Sequence, residues 1–287
     1  METLVSVRRP VRELRPGDHS LLVYNCDEEQ RHVIGAFVGD GLATGGKVIC
    51  LAESADAPLP GVPGVPGARP QGLTVVSLQD VRRSGRFGPR VAMQALAREI
   101  KRAEEAGFRD IRVAADMTWS LRLPGGLPEL LENERHVEAT ISPSTCVIAV
   151  CQLDGRRMRP GDLDALRDAH SILAAPNPEF EDSVLRIVRT FRPTGLALIG
   201  ELDASRHTIL DEVLATLTRS VNGSEIHLDL SGLGFIDLGA LNIFADVAKR
   251  RAGRGPLVLD QMSPQLCTVM ETVGWHMLPG LRLGDAG

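Results

Sequence analysis

Residues 227–241 read His-Leu-Asp-Leu-Ser-Gly-Leu-Gly-Phe-Ile-Asp-Leu-Gly-Ala-Leu. An apolar strand breaks at glycines and re-enters a helix behind Asp237, whose carboxylate can accept backbone N–H groups where the helix dipole favours negative charge. Gly239, with no side chain, would let another surface approach the start of that helix. Working outward, the segment lies in the middle of an alternating series. Strands are expected over 184–191, 196–201, 225–230 and 257–259, and helices over 207–220, 238–251 and 264–273. The order is ββαβαβα.

That order, and the turn itself, resemble STAS domains, the fold of bacterial anti-sigma factor antagonists. The family's turn reads Asp-Leu-Ser, two or three residues, then Phe-Ile-Asp-Ser-Ser-Gly-Leu. The resemblance implies a partner, an anti-sigma factor that is also a kinase of the histidine-kinase ATPase type. It places the docking surface on Ser231, Ile236, Asp237, Leu238, Gly239 and Leu241. In switching members a serine in the first helical turn is phosphorylated, which adds ~1.5 to 2 negative charges and drives the partners apart. Here Gly239 stands at that position and no hydroxyl follows Asp237, so no phosphorylation is expected. Ser231 is no substitute, because the family has a serine there too. Two readings stay open: docking without covalent control, or a scaffold with another ligand.

A chain of 287 residues exceeds the usual size of one domain, and 43% hydrophobic with 24% charged residues is the balance of an ordinary globular protein. Both halves should therefore have cores. A net charge of -5 without a concentrated basic stretch argues against nucleic acid, which needs clustered Lys and Arg to displace counterions. No run reaches the ~18 apolar residues of a membrane span, and the N-terminal 18 residues lack the apolar core of a signal peptide. Five cysteines without short-spaced pairs fit a reducing compartment, so a cytoplasmic location is expected.

The first half alternates strand-like and helix-like segments, the pattern of a layered α/β domain with a mostly parallel sheet. Strands are expected over 20–24, 47–52, 73–78, 111–115 and 145–153, with helices over about 33–42, 89–106 and 127–139. Residues 58–70, with Gly-Val-Pro-Gly-Val-Pro-Gly, read as a surface loop. A stretch with Ala-Ala-Pro-Asn-Pro-Glu reads as a linker, which divides the chain into 15–172, a linker over 173–183, and 184–287.

Three motifs in order, 18–24 (Asp-His-Ser-Leu-Leu-Val-Tyr), 112–119 (Arg-Val-Ala-Ala-Asp-Met-Thr-Trp) and 151–154 (Cys-Gln-Leu-Asp) followed by His170, resemble the MEDS domain. That sensory module is named for methanogen and methylotroph regulators and is distantly related to RecA-type ATPase cores. Leu21 departs from it, standing where the family has a cysteine two residues after the first histidine.

Residues 41–48 echo a phosphate-binding loop but lack its terminal Ser or Thr, and they close a helix instead of opening one. At the place where a RecA-like core would put that loop, residues 25–30 are acidic. The ends of the parallel strands offer a different site, a crevice lined by Tyr24, Glu53, Asp116, Trp119 and Gln152, with His19 added from the first motif. An aromatic beside a carboxylate suits a small, partly apolar or cationic ligand. His19, Cys26, Cys151 and His170 raise the thought of a metal, but no metal-ligand spacing joins them and they read as core members, so neither metal nor cofactor is expected. No nucleophile-and-base arrangement stands out.

The sequence thus describes a non-enzymatic regulator, a sensor joined to an anti-sigma factor antagonist. A ligand at the sensor would change how the two domains pack and so expose or cover 236–241. The alternatives are a nucleotide-binding RecA-like switch or ATPase, and a metal or redox sensor. A homodimer through a sheet edge or helix face is left open.

Overall fold

The computed structural model describes residues 6–62, 70–83, 88–221 and 223–284. It divides into two units, Met1–Asn177 and Pro178–Gly287.

The first unit is built on seven strands: β1 (Val7–Pro10), β2 (His19–Tyr24), β3 (Lys47–Ala52), β4 (Leu73–Ser77), β5 (Ile111–Asp116), β6 (Val147–Asp154) and β7 (Ile172–Ala175). Their order across the sheet is β1-β7-β2-β6-β5-β3-β4, and every pairing is parallel. Parallel strands need crossovers, and helices supply them: α1 (Asp27–Ala43), α2 (Leu78–Arg83), α3 (Pro89–Glu105), α4 (Gly126–Ile141) and α5 (Pro160–Asp168). With helices over both faces, the central strands bury both sides. All eight residues of β6 are buried, which explains why its first five, Val147 to Cys151, are continuously apolar instead of alternating.

Helix α1 packs Val33, Ile34, Phe37 and Val38 onto one face, against Leu22, Val48 and Val150. Helices α3, α4 and α5 cover the other face with Leu96, Leu130 and Leu166, against Leu21, Ile49 and Leu153. Pro89 opens α3, where its missing N–H costs nothing, and Gly107 follows its end with a φ of +90°. The Gly-Gly at 45–46 ends α1 and leads into β3, with Gly45 at a φ of +74°, so it is a helix stop and not a phosphate loop.

Residues 173–175, read from sequence as the start of the linker, belong to strand β7 instead. Their short apolar run is followed at once by Pro176 and Pro178, and that punctuation hides a strand held on both sides, by β1 and β2. Residues 57–62 of the proline-rich loop rest on α1, where Gly61 lies so close to Gly35 that a Cβ on either would overlap the other's backbone. Part of that loop, 63–69, falls outside the described residues.

The second unit adds β8 (Phe180–Glu181), β9 (Leu185–Phe191), β10 (Thr194–Leu202), α6 (His207–Ser220), β11 (Ile226–Ile236), α7 (Leu238–Arg251), β12 (Leu257–Asp260), α8 (Pro264–Thr272) and β13 (Leu281–Leu283). The sheet runs β13-β12-β11-β10-β9-β8, antiparallel from β8 to β10 and parallel from β10 to β13. Leu210, Leu214 and Leu217 of α6 and Phe244, Val247 and Ala248 of α7 close its core. This is the α/β arrangement with a mixed sheet expected of a STAS fold. Strand β11 runs six residues past its expected end, and bulges in its pairing with β10 carry it to the corner that precedes α7.

Candidate functional site

Two places, one in each unit, carry the candidate residues other than His19 and Leu241. In the first, the C-terminal ends of β2, β3, β5 and β6 surround a cavity of about 400 Å³. Tyr24, Glu53, Asp116, Trp119 and Gln152 all line it, because parallel strands deliver their last residues to one edge of the sheet. Residues 57–60 of the proline-rich loop form part of its wall.

A hydrogen-bonded floor crosses this crevice. The Tyr24 hydroxyl donates to Asp116 Oδ2 at 2.9 Å. The Gln30 amide donates to the same oxygen at 3.3 Å and to Gln152 Oε1 at 2.9 Å. Burial first, and then the Asp116 charge, push the Tyr24 pKa above its ordinary value, so the phenol stays a donor. At one side Asp154, buried, takes Arg156 at 2.8 Å and Arg157 at 3.1 Å. Burial works to raise its pKa, but the side chain and backbone of Arg156 outweigh it and hold Asp154 below the ordinary carboxylate range. Glu53 is paired with Arg82. The crevice therefore presents donors and acceptors of both signs, a lining suited to a small polar molecule.

The start of α1 is closed to phosphate by the chain's own groups. Cys26 accepts from the Glu29 amide at 3.4 Å, the Glu29 carboxylate reaches back to the Asn25 amide at 2.8 Å, and Asp27 and Glu28 add negative charge.

His19 is not in the crevice. It sits at the start of β2 and turns to the face covered by α4 and α5, where it meets Glu134, Cys151 and His170. Cys26 lies apart from that group, as the cap of α1.

In the second unit Ile236, Asp237, Leu238 and Gly239 form the β11–α7 corner, and Ser231 lies earlier on β11. Leu238 is 60% exposed, and Ser231 is exposed too, its amide bonded to Asp229. Leu241 is corrected: it is 4% exposed and packs into the core, one helical turn inside α7, where it can meet no partner. Phe235, overlooked in the sequence, is 51% exposed, and Ile199 on the neighbouring β10 is 44% exposed. Burial alternates along β11 only to Leu230, so an aromatic placed after the glycines at 232 and 234 is the sequence signal that could have found it.

Asp237 caps α7, accepting from the Ala240 amide at 2.8 Å. Its Oδ1 also meets Nε2 of His207, the first residue of α6, at 2.7 Å. Burial works to raise the Asp237 pKa, and the Ala240 amide and the His207 ring outweigh it and lower it. The same ring explains Gly239. A Cβ there would overlap His207 Cε1, so the absent side chain makes room for the protein's own imidazole, not for a partner. The space beside Gly239 is filled by His207. Gly239→Ser is accordingly expected to displace the ring and cost on the order of 1 kcal/mol, the value of the His207–Asp237 bond. In a His207→Ala background the same change should cost almost nothing, and a double-mutant cycle on unfolding midpoints measures the difference.

Comparison with known proteins agrees with this division. A family profile described as the MEthanogen/methylotroph, DcmR Sensory domain matches residues 18–171, more than half of the chain. A second, described as the Mlab STAS domain, matches residues 185–281. No curated protein matches. Among solved structures, the cytoplasmic domain of the Thermomonospora curvata type VII secretion ATPase EccC is similar at 10% identity and a TM-score of 0.28; the alignment covers 92% of this chain and 48% of that one. The chain thus spans about half the length of that structure, and a likeness so slight carries no argument.

Proposed function

From the premise that this chain belongs to the MEDS sensory-domain family and continues into a STAS domain, we propose that it is a sensor-coupled anti-sigma factor antagonist. Its STAS corner docks on an anti-sigma factor of the histidine-kinase-like ATPase type. Both families are regulatory or sensory, and among the described residues no helix is long and apolar enough to cross a membrane. The observation that carries the reading is the corner itself: Phe235 and Leu238 stand out of the surface at the end of β11 and the start of α7, while Asp237, His207 and the buried Ala240 and Leu241 fix the backbone beneath them. Exposed apolar groups on a rigid support are what a protein interface needs.

Control without a phosphate follows from the same place. His207 fills the space beside Gly239, so the partner's kinase activity has no hydroxyl to modify there. Regulation then falls to the first unit, whose crevice takes a small polar ligand. Such a ligand can alter docking only by as much as it prefers one state of the chain to another.

Calorimetric titration of the full-length protein with an anti-sigma factor of this type tests the reading. Saturable binding that survives prolonged incubation with ATP and magnesium is expected. Absence of binding, or release of the partner accompanied by a phosphorylated form in the mass spectrum, would contradict it.

A further inference from the structure

We propose that the first unit holds a structural zinc ion, or a divalent metal of the same coordination chemistry, on His19, Glu134, Cys151 and His170. This goes beyond the docking function and does not depend on it.

The four side chains come from four elements: the start of β2, the middle of α4, the middle of β6 and the turn after α5. All are buried, at 2%, 3%, 4% and 0% exposure respectively. His19 Nε2 lies 3.2 Å from Cys151 Sγ and 3.2 Å from Glu134 Oε2. Cys151 Sγ lies 3.4 Å from Glu134 Oε2, and His170 Nε2 lies 3.3 Å from it. One ligand atom from each residue falls within 4.8 Å of the others. Tetrahedral zinc, with bonds of about 2.0–2.3 Å to nitrogen, oxygen and sulfur, sets its ligand atoms roughly 3.3–3.8 Å apart. Four of the separations are already close to that spacing.

The outer contacts decide which atoms are available. His170 Nδ1 is 2.8 Å from the Leu166 carbonyl oxygen, and His19 Nδ1 is 3.0 Å from Glu138 Oε2. A carbonyl can only accept, and so can an ionised carboxylate. Each Nδ1 therefore carries a proton, so Nε2, the atom turned toward the cluster, is the one whose lone pair a metal would take on giving up any second proton. Metal-binding histidines are oriented in this way, one ring nitrogen donating to a carbonyl or carboxylate and the other free to coordinate.

A purely hydrogen-bonded cluster meets a difficulty. Fully buried, His170 Nε2 lies 3.3 Å from Glu134 Oε2 but makes no well-aligned hydrogen bond to it. A buried polar atom without one is costly, and a metal at the centre would satisfy it together with the other three donors. The set of two imidazoles, one thiolate and one carboxylate suits zinc, and Cys151 would lose its proton on binding. Four protein ligands would complete the tetrahedron, which is the pattern of structural sites. Access is also provided: Cys151 borders a cavity of about 430 Å³ between α3, α4 and the sheet.

Full-length protein purified without a metal-affinity tag tests the site by elemental analysis before and after reconstitution with zinc alone. The expected result is one zinc per chain that survives gel filtration. Cobalt in its place should give a thiolate-to-metal charge-transfer band that disappears in Cys151→Ser and persists in Cys26→Ser. Because removing a buried ligand can unfold the unit, Glu138→Gln serves as the second variant. Glu138 only orients the His19 ring and is partly exposed, so the protein should fold and bind zinc about 10- to 100-fold more weakly. Folded wild-type protein that takes up neither zinc nor cobalt in stoichiometric amount would overturn the proposal, as would a Cys151→Ser variant that binds with wild-type affinity.

Discussion

Gly200→Ala should destabilise the second unit by about 3–5 kcal/mol, the sum of backbone strain and a forced shift of packed chain. Gly200 lies in β10 at a φ of +106°, outside the reach of residues with a side chain. An added Cβ would also overlap the Val184 carbonyl oxygen, which accepts the Glu201 amide at 3.0 Å and so ties β9 to the bulge in β10. Neither obstacle can be relieved by a side-chain rotation, because both are made of backbone. Gly253→Ala is the control. That glycine also has a positive φ, +85°, but open space where a Cβ would go, so only the conformational cost of about 1–2 kcal/mol remains. The chain has two tryptophans, Trp119 in the first unit and Trp275 in the second. In a Trp119→Phe background, urea unfolding followed by Trp275 fluorescence reports the second unit alone.

Replacing Leu238 by Arg and Phe235 by Asp should weaken docking on the anti-sigma factor by about 30-fold or more for each change, the loss expected when a central apolar anchor is removed. Folding should be almost unaffected, since the two side chains are 60% and 51% exposed and leave no cavity behind. Met277→Asp provides the comparison. Met277 is 73% exposed, more than either anchor, but it follows α8 and is not part of the corner. Its replacement should leave affinity unchanged. If all three variants lose affinity equally, the effect is one of general surface hydrophobicity and not of a defined site.

How far the sequence reveals this protein varies with the physical signal at each place. Helices α6 and α7 were legible to the residue, because their apolar spacing is regular and Asp237 marks the start of one of them. The crevice was also legible, since a parallel sheet brings the ends of its strands to one edge whatever its details. Strands β1, β7 and β13 were not, being three or four residues long and, for the first two, bounded by proline.

The docking corner shows the limit of reading along the chain. Leu238 and Leu241 look alike in sequence. Only the first lies at the exposed start of α7, whereas the second is already one turn deep in the core. Gly239 reads in sequence as an opening for a partner, but His207, thirty-two residues earlier, lies over it. The buried cluster was hidden for a similar reason. His19, Cys151 and His170 share no ligand spacing, and Glu134 has the appearance of any other helix glutamate. They meet because two neighbouring strands and two helices converge on one face.

Hydrogen exchange on the full-length protein, alone and with the anti-sigma factor, tests the docking claim most directly. Slowed exchange across 231–241, together with the start of α6 that carries His207, is the predicted result. Protection confined to other surfaces, with that corner exchanging as fast as in the free protein, would contradict it.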